Sequence, residues 1–475
     1  MSRVLRRCAS ILVVSLAWVS PAFADDPPPA PAPVRDPVPA PVPVPAPAPA
    51  PAVATAPVDL ATSPTRIVDV RVRGKSKVTP STIAWLAHFN IGDRITFDQV
   101  PQFEAALVSS ELFEDVKVTL EGVPDGVLVV ATVHDKMSWI AAPTLYLLPS
   151  NWAVGVGYAE NNLLGETKKL LLYGQVGNRT SLFFGTYLDP AVNGWDLQLR
   201  FDIYLFHKIL SEYANATPRD VSIARTTEQN FLDAGALLGW RFYWWLNADA
   251  RARAAYAYFR HPRDDQGNMA PSPEVDGYDV TMQLRTTLDA RSHRYGVTWG
   301  PYVQAMAEAS VPGLDSYGFI YGQLRAYYSW RLFDEHELEL RHQLQVGRHL
   351  PFNEEFTLGG VSDLRGYNID QFRGDTRATF RVEYSVPLVK WRFFAFRAIG
   401  FWDSGYIGFH FRDPSGKRDY LASQGDGAHY YRNDVGAGLR IYVSSIVLPL
   451  LGLDFGYGIE GHSPEVYFEV GLTDF

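Results

Sequence analysis

The chain has 475 residues, 13% of them aromatic, a formal net charge of −9 and one cysteine, Cys8. The mildly acidic balance without a basic run excludes nucleic acid as a partner, and a lone thiol excludes a disulfide framework. No apolar stretch of about 18 residues follows the N-terminal region, which excludes a helical membrane protein and leaves a soluble secreted β-protein or a membrane β-barrel.

Arg3, Arg6 and Arg7 precede a short apolar run from Ala9 to Val19, and Ala22-Phe23-Ala24 supplies small residues for a signal peptidase. This pattern predicts a secretory signal over 1–24, cleaved after Ala24. Cys8 follows Arg6 and Arg7 rather than a lipobox, so the mature chain carries no thiol and no lipid anchor. Residues 25–65 are dominated by proline, alanine and valine. Such a segment cannot bury a core and favours extended polyproline II, a spacer that reaches on the order of 100 Å at about 3.1 Å per residue.

A compact α/β module is predicted over 66–136. Ile67, Val70 and Val72 begin a strand that ends at Arg73-Gly74-Lys75. Thr79 or Ser81 caps a helix that Gly92 closes. A second helix runs from Phe97 to Leu112 with Val100, Phe103, Leu107 and Val108 on one face. Two alternating strands follow, joined at Asp125-Gly126.

From Trp139 to Phe475 alternation at period 2 takes over. Leu197, Leu199, Phe201, Ile203 and Leu205 face one way, and Gln198, Arg200 and Asp202 the other. Tyr278–Asp289, Ile320–Leu332, Glu337–Val346 and Arg377–Val386 repeat the split. Apolar-out and charged-in segments of this length predict a transmembrane antiparallel β-barrel with a polar lumen, of about 16 strands. A soluble sandwich has strands of about five or six residues, too short for this pattern. The longest connections fall near 207–230, 261–276, 351–375 and 411–432, and long loops belong on the extracellular side.

Several motifs carry a family resemblance. The module contains Ile67-Val68-Asp69-Val70-Arg71-Val72-Arg73-Gly74, and the barrel opens with Gly157-Tyr158 and Asn161-Asn162-Leu163-Leu164-Gly165. Leu358-Gly359-Gly360 leads into Leu364-Arg365-Gly366-Tyr367, and Phe401-Trp402-Asp403-Ser404-Gly405 follows two strands later. With these residues the chain resembles the BamA/TamA-type barrels, a superfamily that includes two-partner secretion transporters and bacterial surface antigens, with one polypeptide-transport-associated (POTRA) domain in front. The resemblance implies that Leu364–Tyr367 tip a loop that folds into the lumen. It also implies an ion pair of Arg365 with Asp403, with Glu383, Phe401 and Gly405 on the receiving wall. Glu383 and Asp403 fall on the lumen phase of their strands, and an arginine entering a low-dielectric lumen needs a carboxylate. Gly366 lets the tip turn sharply. Phe475 is the aromatic C-terminal assembly signal, although it departs from the phase of Val466, Phe468, Val470 and Leu472.

No catalytic constellation or phosphate loop is present. His336 and His342 share a strand phase that would let them meet in the lumen, without metal-ligand spacing elsewhere. The expected activity is therefore non-enzymatic and cofactor-free: assembly, insertion or translocation of proteins in the outer membrane of a Gram-negative type cell, with the POTRA domain and linker in the periplasm. Partners would be unfolded outer-membrane or secreted clients, outer-membrane lipid and periplasmic accessory proteins. A passive porin or surface adhesin is the alternative. N-terminal sequencing of the mature protein is expected to begin at Asp25, and any later start would move the signal boundary.

Overall fold

The structure, a computed structural model, describes residues 64–110, 112–148, 151–294, 297–333, 335–391, 394–425, 427–443 and 449–470. The expected signal segment, the expected linker up to residue 63, and Phe475 lie outside the described residues.

The N-terminal unit is built from β1 (Thr65–Arg73), α1 (Pro80–Leu86), β2 (Arg94–Ile95), α2 (Val100–Ser109), β3 (Phe113–Val123) and β4 (Gly126–Asp135). Its sheet runs β2-β1-β4-β3, with β1 and β4 parallel. Thr79 caps α1, its hydroxyl accepting from the Thr82 N–H at 3.2 Å, and Pro80 fills the first turn, where no backbone donor is needed. α1 stops at Leu86, well before Gly92. Gly92 instead turns with φ +104° so that its N–H reaches the Ile67 carbonyl. α2 is shorter than its pattern suggests, and Val108 lies exposed: one step past Leu107, a helix has rotated about 100° away from the face that Val100, Phe103 and Leu107 bury. Both helices press on one sheet face, over Ile67, Val70, Val129 and Val133.

The barrel strands are β5 (Trp139–Leu148), β6 (Asn151–Leu163), β7 (Lys168–Gly177), β8 (Thr180–Asp189), β9 (Leu197–Tyr213), β10 (Ile223–Tyr243), β11 (Leu246–Asp264) and β12 (Gly277–Asp289). A short piece, β13 (Ser292–Arg294), precedes β14 (Val297–Asp315), β15 (Ile320–Leu332) and β16 (His336–Arg348). The connection after β16 holds a small hairpin, β17 (Phe356–Leu358) and β18 (Phe372–Gly374). The wall resumes with β19 (Thr376–Trp391), β20 (Phe394–Gly408), β21 (His429–Val443), β22 (Pro449–Gly458) and β23 (Ser463–Val470). Sixteen strands, with β13 as a short extension, close antiparallel into a barrel. Closure pairs each strand with a neighbour on both sides, the condition for strands to cross lipid. The closing seam is short among the described residues: β23 and β5 pair only Phe468–Leu147, Glu469–Tyr146 and Val470–Leu145. β5 pairs with β6 along its whole length.

Alternation sorts the side chains. On β9, Phe201, Ile203 and Leu205 are exposed on the outer face, while Arg200 and Asp202 are buried in the lumen. The lumen is less uniformly polar than the charge pattern implies. Tyr173, Phe184, Tyr204, Phe231 and Phe259 form an apolar patch there, capped by Phe352 from the long connection. His336 and His342 take the outer phase of Leu338 and Leu340, so they do not meet in the lumen. His342 sits against the Thr379 carbonyl and His336 against the Tyr384 hydroxyl.

The N-terminal unit rests on one rim. Arg241 stacks over Trp85 with its guanidinium carbon 4.3 Å from the ring centroid and pairs with Asp196 at 2.6 Å. A Cβ on Gly165, in the β6–β7 turn, would stand 2.0 Å from the Lys77 carbonyl oxygen, so this contact requires glycine. Connections 214–222, 265–276, 349–375 and 409–428 all emerge at the far rim. The first is shorter than expected because β9 runs on to Tyr213 and β10 starts already at Ile223.

Leu107→Ala is expected to cost the small domain about 2–5 kcal/mol, read as proteolysis of residues 64–136 at urea concentrations that leave the barrel intact. Leu284, exposed on the outer face, makes the complementary case. Leu284→Arg should cost about 2–4 kcal/mol when folding into vesicles is titrated with denaturant, and a neutral result would mean that this face does not meet lipid.

Candidate functional site

The connection 349–375 does not project outward but enters the barrel. Irregular backbone can sit at this depth only where protein supplies its hydrogen bonds. The β17–β18 hairpin supplies some of them. Phe356, Leu358, Leu364, Tyr367 and Phe372 supply an apolar core, packed on Met306, Tyr321 and Ile407 of the wall. Gly359 and Gly360, at φ +115° and +97°, make the reversal that Leu358-Gly359-Gly360 signals.

At the tip, Arg365 is 1% exposed. Its Nε and Nη2 donate to the two carboxylate oxygens of Asp403 at 2.9 and 3.1 Å, a bidentate pair. Its Nη1 donates to Glu383 at 2.8 Å and lies 3.6 Å from Asp454. Its guanidinium carbon stands 3.3 Å from the Phe401 ring centroid. Burial opposes the charge, but Asp403 and Glu383 more than offset it, and the Arg365 pKa is raised. Arg365 thus touches strands β19, β20 and β22 together, with Arg381 sharing Asp403 at 3.0 Å and Arg440 held bidentate by Asp454.

Leu364 is fully buried behind the tip. Gly366 donates its N–H to Asp434 at 2.9 Å, and its carbonyl accepts from Ser463 at 2.9 Å. The backbone of Gly366 is not left-handed, so the sharp-turn reading of this glycine is corrected. The residue is needed because a Cβ there would lie 2.3 Å from the Gly458 nitrogen. Gly456 answers it from β22, where a Cβ would come 2.2 Å from the Arg365 carbonyl oxygen. Gly405 leaves space for Leu358, 2.8 Å from where its Cβ would be. The Tyr367 hydroxyl donates to Glu460 at 2.6 Å, and its carbonyl accepts from Tyr467 at 2.7 Å. Asp434, Asp454, Gly456, Glu460 and Tyr467 are the members that the motifs did not reveal. The lumen phase of β21 and β22 is the one signal that could have marked Asp434, Asp454 and Gly456. Among the described residues, no group of three or more His, Cys, Asp or Glu could hold a metal ion.

A closed antiparallel barrel with an arginine-tipped loop clamped inside it, and a small α/β unit on one rim, defines a class of outer-membrane protein. The Omp85 superfamily domain model matches residues 162–473, most of the chain, and the chain belongs to that superfamily. Its fold is similar to BamA from Haemophilus ducreyi lacking POTRA domains 1-3, at 14% identity over 85% of this chain and 84% of that one, with a TM-score of 0.58. It is also similar to CdiB from Escherichia coli, at 12% identity over 85% and 76%, TM-score 0.59. CdiB from Acinetobacter baumannii matches at 14% identity over 86% and 74%, TM-score 0.56. At these identities the likeness is one of fold. No curated protein sequence matches the chain.

Gly456→Val inserts side-chain atoms where the loop backbone lies, so it is expected to expel the tip. Limited trypsin digestion reads this directly: the buried Arg365–Gly366 bond should resist in the wild type and be cut in the variant. Equal resistance in both would show that the tip tolerates the clash.

Proposed function

We propose that the chain is a non-enzymatic factor that inserts proteins into, or translocates them across, the outer membrane. The small POTRA-like domain, on the periplasmic side, would take an extended client segment at a free sheet edge by strand addition. The β3 edge (Phe113–Val123) is unpaired on one side among the described residues. The client would then reach the short β23–β5 seam, where few backbone hydrogen bonds have to be exchanged. With no nucleotide site in the sequence, the client's own folding free energy would drive the step.

The observation that carries this reading is the clamped loop. A diffusion porin needs an open lumen, whereas here a loop with its own apolar core lies in the lumen, held by Arg365 on Asp403 and Glu383. A locked loop suits a barrel that handles clients on demand, and the superfamily membership of the chain supports that use.

Single-channel recording in planar bilayers tests the reading. Removing one partner of a buried ion pair costs about 3–5 kcal/mol, which makes undocking on the order of a hundredfold more frequent or greater. The wild type is expected to open rarely, and Arg365→Ala and Asp403→Ala to open often and alike. A large steady pore that neither substitution changes would replace this reading with the porin.

A further inference from the structure

The connection 409–428, between β20 and β21, crosses the far mouth of the barrel and is fastened to the opposite wall. Going round the sheet from the β20–β21 hairpin to the β9–β10 hairpin, six full strands intervene in either direction. The two hairpins are therefore diametrically opposed. Arg418, in the middle of the connection, is buried against that far side, where its Nη2 pairs with Glu212 of β9 at 3.3 Å. The neighbouring Asp419 receives Arg225 of β10 at 2.5 Å on its carboxylate and at 2.8 Å on its carbonyl. Arg225 and Glu212 are themselves a cross-strand pair, with Nε to Oε2 at 2.6 Å. The backbone N–H of Asp419 donates to the Pro273 carbonyl of the 265–276 connection at 3.0 Å.

The same arginine also grips the inward loop. Arg418 Nε lies 2.7 Å from Oε1 of Glu355, at the base of the 349–375 connection, and Arg373 holds the other Glu355 oxygen at 3.2 Å. At the near end, Asp375 accepts the backbone N–H groups of His410 and Phe411. Arg418 and Glu212 are each buried almost completely, so their charges are met by one another and by this cluster rather than by water.

We infer that residues 409–428 form a strap across the extracellular mouth, a second closure that traps the inward loop from outside. The inference rests on the reading of the 349–375 loop as a movable plug. Loss of the Arg365 clamp frees the tip, but the loop base stays under the strap through Glu355, and the loop leaves the lumen outward only when Arg418 lets go of Glu212 and Glu355. The clamp governs how often the plug loosens, and the strap governs how far it moves.

The test uses the full-length protein in planar bilayers, with heat-modifiable migration as the check on barrel folding. Arg365→Ala is expected to give frequent, brief openings, and Arg365→Ala/Arg418→Ala sustained openings of several-fold larger conductance. A second variant avoids dependence on the folding of Arg418→Ala. Pro273→Cys/Asp419→Cys places a cysteine pair at two positions already linked by a backbone hydrogen bond, in a chain whose only other cysteine is Cys8. In the Arg365→Ala background, oxidation of this pair should suppress the openings and reductant should restore them. If Arg365→Ala changes nothing while Arg418→Ala opens the pore, the clamp reading fails and the strap stands as the closure. If neither Arg418→Ala nor the cross-link alters conductance in either background, the strap is overturned.

Discussion

A guanidinium cannot be carried into the middle of a barrel unless carboxylates are waiting for it, and much of this molecule is arranged around that requirement. Taking a charge out of water costs more than any single contact returns, so Arg365 is met by a bidentate Asp403, by Glu383 and by the face of Phe401 at once. Each of these partners sits on a different point of the wall, and their separation dictates where the loop tip lies. The glycines of β22 and the tip follow from the same geometry: backbone has to approach backbone closely for the arginine to reach.

The lumen repeats this logic along its length. Arg251 pairs with Asp202 and Asp233, Arg253 with Asp233, Glu308 and Glu354, and Arg285 with Asp249. Cross-strand neighbours on the inner phase are close enough to neutralise one another, which lets a charged interior pack densely. The outer phase obeys the opposite rule on strands such as β9 and β12, where it exposes Phe201, Ile203, Leu205, Tyr278, Met282 and Leu284. Neither face alone would close the sheet; the unmet amides of two free edges in lipid do that.

The two inward-reaching connections are stabilised differently. The 349–375 loop combines an apolar core with one deeply paired arginine, whereas 409–428 relies on ion pairs at a rim where the wall ends. Apolar burial is insensitive to which partner strand supplies it, while a guanidinium between Glu212 and Glu355 specifies both ends of its span. That difference makes the first a plug and the second a fastening.

The sequence by itself determined the barrel architecture and the central Arg365, Asp403 and Glu383 of the clamp. Period-2 alternation over long segments is a local property, so the barrel strands and their number were legible, as were the phase of Glu383 and Asp403 and the β-α-α-β-β order of the N-terminal unit except for the two-residue strand β2 between its helices. The exposed Val108 was misjudged because a helix rotates about 100° per residue, and the outward His336 and His342 because a strand flips its face at each step; α1 ends early because His88 turns left-handed at φ +61°. The tertiary structure alone decided that Gly366 is a close-approach glycine, that Asp434, Asp454 and Tyr467 complete the clamp, and that Arg418 reaches Glu212 some 200 residues away. Those facts depend on which strands come to oppose one another when the sheet closes, and closure pairs segments whose relation no local pattern records.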